Sequence, residues 1–149
     1  MGKTVMSELD NGRGSPTSQV SQDRRKLAAK ELVRSFLNAM ERRDLNMARG
    51  YLSPDFSMTF PGGARFDALE ELVAWGARRY RNIAKSYACF DVVDNGRETI
   101  IYCSGTLHGI LLDGSEFSGI RFIDRFTVRD GKLQDQQVWN DMGEVLSSV

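Results

Sequence analysis

Apolar positions recur along this chain in two rhythms, helical in the first half and alternating in the second. Leu27, Val33, Phe36, Leu37 and Met40 recur at helical spacing behind Ser21 or Asp23, either of which can cap a helix. Asp44 can cap a second, short helix with Leu45, Ala48 and Leu52 inward, and Ser53-Pro54-Asp55 breaks it. Phe56, Met58 and Phe60 alternate with Ser57 and Thr59, which predicts a short strand ended by Pro61-Gly62-Gly63. Asp67 and Glu70 have capping-box spacing. Leu69, Leu72, Val73, Gly76, Ala77, Tyr80, Ile83 and Ala84 then form one stripe, a third helix. Trp75 lies off that stripe, as a pocket-lip residue or part of a second contact surface.

From Ser86 onward the pattern is a meander. Asp94-Asn95-Gly96, Leu112-Asp113-Gly114 and Arg129-Asp130-Gly131 are turn signals separating strands near 86–93, 97–111, 115–128 and 132–142. Straight strands of the longer kind would span roughly 40–50 Å at ~3.3 Å per residue, too long for a domain of this size, so the sheet must curl. The fold class is therefore α+β, three N-terminal helices packed on a strongly curved antiparallel sheet, whose concave side is a natural pocket. Residues 1–22 read as a disordered tail, with Gly12, Gly14, Ser15 and Pro16 and little apolar periodicity, and 23–149 as a single domain.

One residue breaks the alternation. Ile120, Phe122, Phe126 and Val128 share a strand face, and Asp124 has their parity. A carboxyl on an apolar face is hydrogen-bonded, charge-paired or protonated, and such groups often work in a pocket. Its structural role would be a bond to Tyr102 or to an arginine such as Arg65 or Arg78. Turn chemistry decides its neighbours. A three-residue loop at Arg129-Asp130-Gly131 pairs Asp124 with Gln136 and turns Gln136, Val138 and Asn140 inward. A tight two-residue turn would send Gln137, Trp139 and Asp141 inward instead. A three-residue loop at Leu112-Asp113-Gly114 pairs Leu111 with Ser115 and places Tyr102 beside Asp124, with Ser104, Thr106 and His108 on that face. The apolar pattern argues equally for Ile101, Cys103 and Leu107 as the inner face.

Composition removes several classes. The 149 residues carry 20 Lys+Arg and 20 Asp+Glu, so there is no electrostatic footprint for nucleic acid or a membrane surface. No apolar run approaches the ~20 residues of a membrane span, and no basic-then-apolar start suggests secretion. A single histidine and two cysteines, Cys89 and Cys103, outside any C-x-x-C motif predict no metal site and no cofactor. Reduced thiols fit a cytoplasmic protein.

The order of elements, with Phe36-Leu37-Asn38-Ala39-Met40-Glu41-Arg42-Arg43-Asp44-Leu45, Tyr51-Leu52-Ser53-Pro54-Asp55-Phe56 and above all Ile123-Asp124-Arg125-Phe126-Thr127-Val128-Arg129-Asp130-Gly131-Lys132-Leu133, resembles the SnoaL-like and ketosteroid-isomerase-like families over about residues 24–146. These share the cone-shaped α+β barrel named after nuclear transport factor two. By that resemblance Asp124 matches an aspartic acid kept protonated to donate to an oxyanion. The partner tyrosine of those isomerases falls at Phe36 and their proton-moving aspartate at Phe60, so steroid isomerisation is not implied. One aspartate of similar epoxide hydrolases falls near Val138. Gly105-Thr106-Leu107-His108-Gly109 is similar to the glycine-threonine-histidine segment of SnoaL-like cyclases, whose acid on the last strand has no match among Gln136, Val138 and Asn140.

The expectation is a small-molecule pocket protein acting by acid/base chemistry at Asp124, with His108 or Tyr102 assisting. Phe36, Phe60, Phe122, Gln136, Val138 and Asn140 would contact the ligand. Cyclisation, isomerisation or hydration of an apolar, aromatic or polyketide-like compound fits such a site. A non-catalytic binding protein, or a structural association domain, is the alternative. The convex face, with Arg121, Ile123, Arg125, Leu133, Asp135, Gln137 and Trp139, is expected to form a homodimer. In the three-residue register Arg121 lies across from Trp139.

Overall fold

A computed structural model describes residues 14–147 of the chain. Ser15 accepts a hydrogen bond from the Ser18 amide at 3.3 Å, and Pro16 fills the start of the first turn. Helix α1 therefore runs Pro16–Glu41. Its first residues fall inside the segment expected to be a tail, and the caps expected at Ser21 or Asp23 lie within the helix. The rest of that tail, residues 1–13, lies outside the described residues. Ala29, Val33, Phe36, Leu37 and Met40 form the buried stripe of α1, while Leu27 is exposed. Asp44 caps α2, Leu45–Arg49, through the Met47 amide at 3.2 Å.

Strand β1, Leu52–Phe60, runs through Ser53-Pro54-Asp55, where a break was expected. Pro54 is tolerated because β1 pairs with β6 only at Leu52 and then from Ser57 onward, leaving the stretch between without a ladder position. A 3₁₀ turn at Pro61–Gly63 leads to β2, Ala64–Phe66. Helix α3 spans Leu69–Ala77 with Ala68 at its N-cap and no side-chain cap, so the box predicted from Asp67 and Glu70 does not form. Asp67 instead lies 3.8 Å from exposed Arg65.

The helix is also shorter than its periodicity suggests. Tyr80–Asp94 is β3, paired along its length with β4, Thr99–Leu111. Long-range pairing has captured Tyr80, Ile83 and Ala84 from the helical stripe. Strands β5, Glu116–Arg129, and β6, Lys132–Asn140, complete the sheet, and α4, Met142–Leu146, closes the described chain. The six strands lie in the order β2-β1-β6-β5-β4-β3. All neighbours are antiparallel except β1 and β6, which run parallel, a departure from the all-antiparallel expectation. The fold is α+β, with helices on the concave face of a curved sheet, as expected.

Register shifts produce that curvature and decide what faces inward. At the β5–β6 turn the chain makes the tight two-residue connection, Arg129 opposite Lys132, with φ of 52° at Asp130 and 70° at Gly131. A bulge follows, since Val128 faces Leu133 but Thr127 faces Asp135. Gln134 is the extra residue, and its amide nitrogen donates to the Arg129 carbonyl at 3.1 Å. The bulge restores the parity that the tight turn would have reversed. Gln136 and Val138 are buried on the inner side, Leu133 is buried too, and Asp124 lies opposite Val138 rather than Gln136.

The β4–β5 connection is the three-residue loop, with the Leu111 amide bonded to the Ser115 carbonyl at 2.8 Å. The register then slips. Gly109 faces Phe117, but Leu107 faces Ile120, with Gly119 at φ 70° in the extra residue's bend. That slip puts Cys103, not Tyr102, across from Asp124. Ile101, Cys103 and Leu107 are the buried inner face of β4.

Candidate functional site

Phe36, Leu37 and Met40 from α1, Leu72, Val73 and Trp75 from α3, and the inner faces of β3–β6 enclose a pocket with about 910 Å³ of empty space, counted out into its open mouth. Its walls are mainly apolar. Phe60, Phe66 and Trp75 cluster at 5.5–6.0 Å between ring centroids, which makes Trp75 a pocket-lining residue.

Three of its polar side chains, Asp124, Lys85 and Gln136, meet at one wall. Asp124 from β5 is fully buried, as its parity predicted. Its Oδ2 accepts from the Lys85 ammonium of β3, and the Gln136 amide nitrogen of β6 lies 3.5 Å from the same oxygen. Its Oδ1 is buried and has no hydrogen-bond partner among the described residues. The Lys85 ammonium sits 4.8 Å from the centre of the Phe122 ring and is one-fifth exposed towards the cavity. Burial works to lower the lysine's pKa. The Asp124 charge and hydrogen bond, with smaller help from Cys103 and Tyr87, outweigh it, so Lys85 stays cationic above its ordinary range. Burial pushes the Tyr87 phenol and the Cys103 thiol each up to about 12, the thiol with help from neighbouring Asp124. Neither is a ready base or nucleophile.

The structure brings together Asp124, Phe36, Phe60, Phe122, Gln136, Val138 and Asn140 around one cavity. It does not bring Tyr102 or His108. Tyr102 is on the outer face, where its hydroxyl lies 3.3 Å from Arg125 Nε, and His108 is exposed. The Gly119 bulge is the cause, because one extra residue in β5 reverses the parity of every β4 side chain beyond it. Neither Arg65 nor Arg78 is the partner of Asp124; Lys85 is. Where the resemblance implies a carboxyl that donates, Asp124 here accepts from the Lys85 ammonium. Lys85 was legible by the same rule as Asp124. Ile83, Lys85 and Tyr87 share a parity, and a lysine on that row is as anomalous as the aspartate, but only once the strand is begun at Tyr80.

The profile of the SnoaL-like domain matches residues 33–136. The chain belongs to the SnoaL-like domain family. Solved structures agree on the fold. An NTF2-like protein of unknown function from Burkholderia pseudomallei superposes with a TM-score of 0.65 at 18% identity, covering 80% of this chain and 95% of that one. A putative polyketide cyclase from Xanthomonas campestris pv. campestris gives 0.63 at 17%, covering 82% and 96%. A hexachlorocyclohexane dehydrochlorinase gives 0.67 at 11%, covering 83% and 89%. No curated protein matches the sequence. The SnoaL-like domain here thus has an open pocket in which Asp124 of β5 is ion-paired to Lys85 of β3, over the strand β4 between them. No helix among the described residues is long and apolar enough to cross a membrane.

Proposed function

We propose that this SnoaL-like domain binds a small, mainly apolar ring compound bearing a carbonyl, and that Lys85 and Asp124 perform acid/base chemistry on it. The observation that carries this is the Lys85–Asp124 pair at the wall of an open, mainly apolar pocket, with one carboxylate oxygen buried and unpartnered among the described residues. Asp124 Oδ1 would take a proton from the carbon next to the carbonyl. The electron pair moves onto the carbonyl oxygen, which a Lys85 N–H stabilises. Where a C=C is conjugated with the enolate, returning the proton from Asp124 to its far carbon isomerises the compound. Where the enolate carbon instead attacks a second carbonyl carbon, that carbonyl's π pair moves to its oxygen, which takes the proton from Asp124 as the ring closes. Gln136 holds the carboxylate in place. A putative polyketide cyclase among the fold's relatives supports this class of reaction without assigning a substrate.

Asp124→Asn tests it. Turnover of a responsive aromatic or polyketide-like ketone is expected to fall by about 10²-fold or more, while affinity stays within about tenfold, because the lost group acts in the transition state. Compounds that bind without any turnover would establish the second reading, a non-catalytic binding protein, which the outward placement of Tyr102 and His108 favours. A pocket that side chains leave unfilled weighs against a purely structural association domain.

The same domain is proposed to pair through its convex face. Trp139 is 50% and Ile123 39% exposed, and they lie directly opposite each other on β6 and β5. Arg121 does not cover the tryptophan as expected but pairs with Asp141 at 2.5 Å, and Leu133 is buried inside rather than part of this patch. Trp139→Glu would place a charge in the contact and is expected to convert a dimer to a monomer in sedimentation. A wild-type monomer would remove this face from consideration.

A further inference from the structure

The chemistry proposed above engages the pocket's interior and leaves its mouth unexplained. The pocket is lined by three cations, Arg43, Arg79 and Lys85, and two anions, Glu41 and Asp124. With Lys85 and Asp124 paired to each other, two arginines and one glutamate remain among the lining charges. Glu41 and Arg43 are exposed and Arg79 is half-buried, which puts them where the pocket opens to solvent. Among the described residues neither Arg43 nor Arg79 lies within ion-pair distance of a carboxylate. Both follow helix C-termini, where a cation is favourable, and that accounts for part of their placement. Arg43 has φ 61° and donates one N–H to the Met40 carbonyl at 2.6 Å. Its other donors are not spent on that cap. Arg79 lies over the Trp75 ring at 4.2 Å. Stacking engages the face of a guanidinium and leaves its edge, where all five N–H donors lie, free for an anion. The charges of Arg43, Lys85 and Arg79 all reach Tyr80, whose phenol burial nonetheless holds above its ordinary value.

We propose that the arginine pair Arg43 and Arg79 at the mouth receives an acid group of the same ligand, so that the ligand class is an amphipathic ring acid with its anion at the mouth and its apolar body inside. This rests on the pocket reading above and adds the charge of the ligand to it. Such a ligand meets complementary potential on entry and is oriented by it, which presents one end of its ring system to Lys85 and Asp124.

Two dyes of nearly the same shape test it: 8-anilinonaphthalene-1-sulfonate, which is anionic, and N-phenyl-1-naphthylamine, which is neutral. The wild type is expected to bind the anionic dye about tenfold more tightly than the neutral one, a difference of about 1.4 kcal/mol. Arg79→Gln should erase most of that preference while the neutral dye's affinity stays within about twofold, which also shows that the variant keeps its pocket. Arg79→Glu should reverse the preference. Equal affinity for the two dyes in the wild type, equal weakening of both by Arg79→Gln, or a preference that Arg79 does not affect would overturn the anionic-ligand inference alone. If neither dye binds, the pocket reading falls and this inference falls with it.

Discussion

Lys85→Met is expected to destabilise the protein by about 3–5 kcal/mol, the cost of leaving a buried charge without its partner. Asp124 is fully enclosed, and among the described residues its side chain has otherwise only the Gln136 amide, at 3.5 Å. For a chain of this size the loss lowers Tm by roughly 10 °C. The double variant Lys85→Met with Asp124→Leu should recover most of it, because two apolar side chains of similar volume need no counter-charge. Urea unfolding of the two single variants and the double variant closes the cycle. A Lys85→Met protein within about 1 kcal/mol of wild type would show that the carboxylate draws its stabilisation from elsewhere.

The same cluster sets an alkaline limit. Lys85, Tyr87 and Cys103 all have folded pKa values above their ordinary ones, the tyrosine and cysteine at about 12. For each group the unfolded chain releases its proton first as pH rises. The stability each contributes is therefore complete below its unfolded pKa and disappears as pH climbs through the folded one. The losses begin with Cys103 near about 8.5, followed by Tyr87 near about 10 and Lys85 near about 10.4. The urea midpoint should thus decline from about pH 9 upward, and Cys103→Ala should delay the onset. A midpoint that is flat to about pH 11 would contradict the burial that these shifts express.

Gly105→Ala is expected to be nearly as damaging, at about 3 kcal/mol or more. Gly105 faces Tyr87 where β3 carries the extra residue Ala88. A Cβ at Gly105 would fall well inside contact distance of the Ser86 carbonyl oxygen and 3.1 Å from the Ala88 nitrogen. Both are backbone atoms, which cannot rotate away as the end of a side chain can. Relief requires β3 to move from β4, and Lys85 moves with it, so ligand affinity should fall together with stability. Ser104→Ala, one residue away on the outer face, should stay within about 0.5 kcal/mol. Thermal unfolding of the two variants separates a local steric effect from a general weakness of the strand.

Asp124 shows how far pattern reading reaches. Alternation placed it among Phe122, Phe126 and Val128, and it is buried there with no exposed surface. Parity is a property of one strand, set by the pleat alone, so no knowledge of neighbours is needed. The inward row Gln136, Val138 and Asn140 was also correct, although the turn that suggested it does not occur. A two-residue turn and the Gln134 bulge together give the parity of the three-residue loop. Two register errors cancelled because the side-chain period is two.

Tyr102 and His108 show the opposite case. The three-residue loop that the turn residues predict does form, yet a single bulge near Gly119 turns both outward. Gly119 within a strand was the available sign, since an isolated glycine there often marks a bulge. Whether it does depends on the pairing of β4 with β5, which is not a local property.

The amino-acid sequence by itself determined the α+β class, the turn positions, the apolar faces of α1 and β5 and the burial of Asp124. Each follows from periodicity or backbone chemistry acting over a few neighbouring residues. Only the tertiary structure decided that β3 begins at Tyr80, that bulges select Cys103 over Tyr102, and that Lys85 of β3 reaches Asp124 of β5 over the intervening strand β4. These depend on strand pairings between residues tens of positions apart, where one extra residue reverses an entire face and no local pattern records the choice.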